Sequence, residues 1–174
     1  MSVPPALTLP TLAAGDPVAF EGFVTPFGSA PPDFSAVTLV NPGTANARLH
    51  LAWNSPGVTA PFVTPLSPTN VMMTQTMVQS ANEHVVQIGG VTEDPGSVTA
   101  GLSFVPNASG PLVFVIGHRM SWQFQVYTSF SDFITALNGD LNGTTALLQV
   151  AAQGPYNLTT GVMSANLMAV ELSD

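Results

Sequence analysis

The chain has 174 residues, of which 45% are apolar and only 7% charged, with 16 prolines, 15 glycines and no cysteine. Arg48 and Arg119 are the only Lys or Arg residues, and the formal charge is −8, so the chain has nothing with which to neutralise phosphates. Direct nucleic-acid binding and docking on an anionic lipid surface are therefore not expected. The absence of cysteine removes disulfide frameworks and thiolate metal sites, and the length suits one hydrophobic core.

Met1 to Asp16 contains Pro4, Pro5 and Pro10 and no basic residue. It lacks the form of a secretory signal, so synthesis in the cytoplasm without a signal peptide is expected. It reads as an extended arm, residues 1–16, leading into one β-sandwich domain, 17–174. Three later segments alternate cleanly between apolar and polar residues, the mark of strands with one buried face. In 46–54 the apolar set is Ala47, Leu49, Leu51 and Trp53, and in 98–105 it is Val98, Ala100, Leu102 and Phe104. In 118–128 it is Met120, Trp122, Phe124 and Val126. Leu49, Leu51, Trp53, Leu102, Phe104, Trp122 and Phe124 are the expected shared core of two facing antiparallel sheets.

Segments 18–25, 34–40, 71–79, 83–88, 112–116, 145–151 and 163–172 are strand-like but apolar on both faces, as strands covered on both sides would be. They are candidates for contact with other chains. Turn residues separate them, among them Asn41-Pro42-Gly43, Ser55-Pro56-Gly57, Asp94-Pro95-Gly96 and Asn138-Gly139. One short helix is expected over 131–137, capped by Ser131 and stopped by Asn138-Gly139. Eight to ten short strands with little helix point to an all-β fold, a single jelly-roll sandwich, with an immunoglobulin-like sandwich as the alternative.

No catalytic or cofactor constellation emerges. His50, His84 and His118 are far apart in sequence and lack tight metal-ligand spacing, and no Gly-x-Ser-x-Gly elbow or phosphate-cradling glycine loop occurs. Residues 138–143 imitate the start of a calcium loop, but the first position is Asn138 and the twelfth Gln149, which cannot give a bidentate carboxylate. Two Asn-Gly turns account for the same residues. Asn107, Asn142 and Asn157 head glycosylation patterns that carry weight only in an exported chain. The expectation is a non-enzyme without cofactor or metal.

A charge-poor β domain either aggregates or is built to assemble, because charge is the usual guard against edge pairing and patch burial. The opening Met1-Ser2-Val3-Pro4-Pro5-Ala6-Leu7-Thr8-Leu9-Pro10, the segment from Ala14 to Phe23, the length and the run of short strands to Asp174 together resemble a family. It is that of the small major capsid proteins of tailless, icosahedral, internal-membrane bacteriophages of thermophilic bacteria. The resemblance extends over the whole chain. It implies a single vertical jelly roll that self-associates, as a homodimer or higher oligomer. It further implies assembly with a second, larger capsid protein into an icosahedral shell, close to the internal viral membrane, and so a place in the virion. The expected assembly interface comprises Val3, Pro4, Leu7, Leu9, Phe23, Met72, Met163 and Leu167. A phage spike or decoration module and a carbohydrate-binding β-sandwich are the alternatives.

Overall fold

Period-two burial runs through most strands after residue 44, and that periodicity builds one curled sheet around an apolar core. The computed structural model describes residues 18–24, 26, 34–40, 44–88, 91–141 and 143–173. The chain divides into two compact units, Met1–Thr44 and Ala45–Asp174, so the break between units falls after Thr44, whereas composition places a boundary at residue 16. The arm of residues 1–16 lies outside the described residues.

In the first unit, β1 (Ala19–Val24) and β2 (Phe34–Val40) form an antiparallel hairpin with a register shift between Glu21 and Gly22. The second unit holds ten strands: β3 (Ala45–Ala52), β4 (Val71–Met73), β5 (Glu83–Ile88), β6 (Val91–Glu93), β7 (Leu102–Pro106), β8 (Val113–His118), β9 (Gln123–Tyr127), β10 (Leu147–Asn157), β11 (Val162–Ala165) and β12 (Leu167–Leu172). All ten belong to one sheet. The fold is all-β and sandwich-like, as composition and turn density imply.

The centre is β10. Along one edge it pairs with β3. Along the other it pairs first with β12, through Gln153 opposite Leu167, and then with β11, from Tyr156 opposite Met163. From there the sheet runs in two branches, β12-β8-β9 and β11-β7-β4, while β3 carries β5 and β6. The pairings β7–β11 and β8–β12 are parallel, which corrects the expectation of a wholly antiparallel fold. They arise because β7 and β8 both run alongside the returning β11–β12 strand, and residues 107–112 form an excursion between them.

Asn166, between β11 and β12, ties this junction together. Its backbone N–H donates to Gln153 O and its carbonyl accepts from Val113 N–H. Its side-chain Nδ2 donates to Ser109 O and Pro111 O, and its Oδ1 accepts from Asn107 Nδ2 at 2.8 Å. Opposite it, Gly154 has φ +156°, and a Cβ there would lie 2.0 Å from Ser164 O. Only glycine allows the backbones to approach so closely.

Among the described residues, the buried core holds no polar or charged residue. Leu49, Leu51, Leu102, Phe104, Phe114, Ile116, Val150, Met168 and Val170 alternate inward along their strands, and Trp53 joins them with its indole N–H donating to Ser80 Oγ at 3.0 Å. Two helices occur among the described residues. α1 (Gln75–Gln79) replaces the second half of the strand expected over 71–79, because Thr74 accepts from Met77 N–H as an N-cap and the turn delivers Val78 to the core. α2 (Phe130–Asp140) is longer than the helix expected over 131–137 and is capped by Ser129 rather than Ser131. Phe130, Phe133, Ile134 and Leu137 recur at helical spacing and are buried. Phe114 of β8 stacks on Phe133 at 5.4 Å and meets Phe130 edge-on at 5.1 Å. That packing carries the helix through Asn138 and Gly139, which offsets a glycine penalty of about 1 kcal/mol. The calcium-loop and Asn138-Gly139 turn readings both fall with it, since those residues are helical.

Tyr156 of β10 is 1% exposed, and among the described residues its hydroxyl has no hydrogen-bond partner. Burial, and secondarily the charge of Asp94, push its phenol up to about 12. Its neutral form is favoured in the folded chain, so its contribution is fully present below about pH 10 and is lost as pH rises through about 12. We expect about 2 to 3 kcal/mol of stability to disappear over that window. Tyr127, raised by burial and by Asp140 and Asp132, adds a smaller loss of the same sign. Tyr156→Phe should remove most of the alkaline loss in chemical denaturation and stay within about 1 kcal/mol of wild type at neutral pH, because it deletes an unpartnered hydroxyl.

Candidate functional site: the outer face and open edge of the sheet

The residues left pointing away from the core form a surface graded from apolar to polar. Strand register aligns them in rows. One row runs Val126, Val115, Ala169, Ala151 and His50, and the next runs Phe124, Gly117, Glu171, Gln149 and Ala52. A third runs Val113, Leu167, Gln153 and Arg48. The β9–β8 side is therefore apolar and the β3 side polar.

Small residues make the middle of this face shallow. Gly117, Ala151 and Ala169 floor an open groove of about 490 Å³, with Trp122 and Phe124 on one flank and Gln149, Arg119 and Glu171 on the other. The Phe124 ring covers Gly117, where a Cβ would lie 3.1 Å from it. Cross-strand aromatic cover of a glycine fixes the ring on the outer side of the sheet. Arg119 Nε donates to Glu171 Oε1 at 2.6 Å. Gln149 Nε2 donates to His50 Nε2 at 2.9 Å, leaving the His50 proton on Nδ1, 3.5 Å from Glu83 Oε2. The other histidines also face carboxylates, His84 with Asp94 and His118 with Asp140, each at 3.5 Å. The groove's polar flank is thus occupied by internally matched groups.

Met120, Trp122, Phe124 and Val126 are 73%, 81%, 69% and 65% exposed. This corrects the placement of Trp122 and Phe124 in the core. The alternation over 118–128 spans two strands: β8 ends at His118, residues 119–122 reverse the chain, and β9 starts at Gln123. The inward residues of β9 are Gln123, Gln125 and Tyr127, opposite His118, Ile116 and Phe114. Trp122 adopts φ +54°, the only positive φ outside glycine among the described residues. A large aromatic in that region is strained, and here it sits exposed at the start of an edge strand.

Of the expected interface residues, Phe23 is 73% exposed on β1, and Met72 on β4 and Leu167 on β12 are each 39% exposed. Met72 and Leu167 lie in different branches of the sheet, and Leu167 alone joins the outer-face rows just described. Met163 is fully buried on the inner face of β11, so it is withdrawn from the interface, its apolar character being used by the core. Val3, Pro4, Leu7 and Leu9 lie outside the described residues. The surface formed by Trp122, Phe124 and Val126 was hidden in the sequence because the reversal at 119–122 contains no Gly, Pro, Asn or Asp. An arginine within an otherwise apolar-alternating run was the one available signal.

Among the described residues, no group of three His, Asp or Glu is placed to hold a metal ion, and no helix is long and apolar enough to cross a membrane. No protein-family model matches the chain, and no solved structure matches it.

Replacing an exposed, strained aromatic should cost little. Trp122→Ala should change the unfolding free energy by less than about 1 kcal/mol, as surface substitutions do, against about 3 to 5 for a buried tryptophan. Trp122→Gly should stabilise the fold by up to about 1 kcal/mol by releasing the left-handed backbone strain. Urea unfolding of the two variants checks both.

Proposed function

We propose that this chain is a structural virion protein, a major capsid (coat) protein that self-associates and assembles with a second, larger capsid protein into an icosahedral shell. The observation that carries the assembly reading is the open apolar face at β9, where Trp122, Phe124 and Val126 stand in solvent, Trp122 and Phe124 on one groove flank and Val126 in register with Val115 and Ala169. Isolated exposed apolar residues are ordinary, but a contiguous patch of this kind marks a contact surface. The scarcity of charge points the same way, since a surface covered by neighbours needs none for solubility. The virion setting and the larger partner rest on the whole-chain resemblance to the coat proteins of internal-membrane phages.

A second reading draws on the same place. Trp122 and Phe124 flank a groove edged by Gln149, Glu171 and Arg119, and an aromatic wall with polar groups opposite is how a β-sandwich binds a sugar ring.

By sedimentation velocity, the purified chain should be at least a dimer at micromolar concentration. Raising the salt should leave the oligomer intact, because few ion pairs are available to hold it. Deleting residues 1–10 should weaken association without changing the β-sheet circular dichroism signal. A chain that stays monomeric alone and with the other shell proteins, and whose tryptophan emission shifts on adding oligosaccharide, would decide for the second reading.

A further inference from the structure

Resting on the assembly reading, we infer that two copies of this chain join through β9, strand to strand and antiparallel, extending the ten-stranded sheet across a two-fold axis centred on Gln125. Among the described residues β9 is hydrogen-bonded to β8 alone, so its other edge presents unpaired backbone donors and acceptors. Such edges are normally kept short, charged, bulged or interrupted by proline. The other terminal strands of this sheet follow that rule: β4 and β6 have three residues each, and β6 carries Glu93. β9 has five residues, Gln123-Phe124-Gln125-Val126-Tyr127, with neither charge nor proline and no register shift against β8.

The occupant that fits is a second copy. From Met120 to Ser131 the sequence has no charged residue, so two molecules of charge −8 can meet here without bringing like charges together. The strand is also self-complementary. In a two-fold antiparallel pair, residues facing each other lie on the same face of the combined sheet. The register centred on Gln125 keeps all five residues paired. It sets Phe124 against Val126 of the other copy on the outer face, and Gln123 against Tyr127 on the inner face. A shift of one residue would oppose Phe124 to Gln125 or Tyr127, according to its direction, and put core-facing and outer-facing side chains on one side.

Area supports the same partner. The exposed parts of Met120, Trp122, Phe124 and Val126 amount to on the order of 500 Å² per copy. A standard interface needs about 800 Å² per partner, and the backbone edge with its flanks supplies the remainder. Trp122, 81% exposed, lies one residue before the paired strand.

Because the chain has no cysteine, single introduced cysteines report the register directly. In the full-length protein, Gln125→Cys should form a covalent dimer on mild oxidation or with a short bis-maleimide, at least tenfold faster than Gln123→Cys or the distant exposed control Thr99→Cys. Phe124→Lys and Val126→Lys, both on solvent-exposed positions, should each weaken dimerisation at least a hundredfold by sedimentation while leaving the circular dichroism spectrum unchanged. Equal cross-linking by Gln123→Cys and Gln125→Cys would overturn the register. A dimer indifferent to both lysine changes would overturn the β9 contact and leave the assembly reading standing. A dimer dissolved by deletion of residues 1–10 and not by the lysine changes would assign the contact to the arm instead. A wild-type chain that associates neither with itself nor with shell proteins would overturn the assembly reading together with this inference.

Discussion

Strand β10 is hydrogen-bonded to three partners, and the rest of the second unit follows from how its eleven residues are shared among them. One edge belongs to β3. The other passes from β12 to β11 at the level of Gly154, where a side chain would collide with Ser164 O. Because β11 and β12 are one returning stretch interrupted only at Asn166, anything pairing with them must accommodate the same interruption. β7 and β8 do so by running parallel to them and looping out over 107–112, and the Asn166 side chain holds that excursion through Asn107, Ser109 and Pro111. An asparagine offers both donor and acceptor capacity in a side chain short enough to reach three loop residues at once. The parallel pairs in an otherwise antiparallel sheet are a consequence of this junction.

The same junction decides where the unusual surface falls. With β8 fixed beside β12, its inner residues Phe114 and Ile116 receive α2, and its outer residues Val113, Val115 and Gly117 are left facing away from the core. β9 extends that outer surface by one strand. Among the described residues the core buries no polar or charged residue, and on the polar flank Arg119 is matched with Glu171 and His50 with Gln149 and Glu83. Exposed ion pairs of this sort contribute about 0 to 1 kcal/mol each, so they organise the surface more than they stabilise the fold. What remains on the outer face of β9 is apolar, and among the described residues its far edge has no partner strand.

Much of the fold was legible because alternation and turn residues agreed. Leu49, Leu51 and Trp53, and Leu102 and Phe104, face inward as their periodicity implies, and the Asp94-Pro95-Gly96 turn forms with Asp94 Oδ1 accepting from Gly96 N–H at 2.7 Å. Periodicity fails where it cannot distinguish the two faces of a strand. Over 118–128 the bulkier set was assigned inward, although the glutamines of β9 share a face with Phe114 and Ile116. The chain reversal that would have divided the run carried no turn chemistry. At 71–79, β-branched and apolar residues concealed a helix turn that Thr74 initiates, and at 138–140 tertiary packing of Phe133 and Leu137 overrode an Asn-Gly stop signal. Met163 shows the converse error, since an apolar residue in a two-sided strand was read as contact surface when the core needed it. Partner choice across branches, and hence the parallel pairs, is a property of the whole chain that no local window contains.

The coat-protein and sugar-binding readings compete for one surface, and the backbone helps to separate them. A groove that binds a small polar ligand needs its aromatic wall backed on both sides, because a platform that moves loses the orientation that gives stacking its strength. Trp122 and Phe124 stand instead at a sheet margin, with β8 behind them and, among the described residues, an unpaired strand edge in front. A sugar in the groove could cover the rings but would leave that row of N–H and C=O groups unmatched by another strand. A β-strand from another molecule satisfies the row and covers the flanks of the rings in the same act. The backbone edge and the exposed side chains therefore have a common explanation in chain-to-chain contact, whereas ligand binding explains only the side chains.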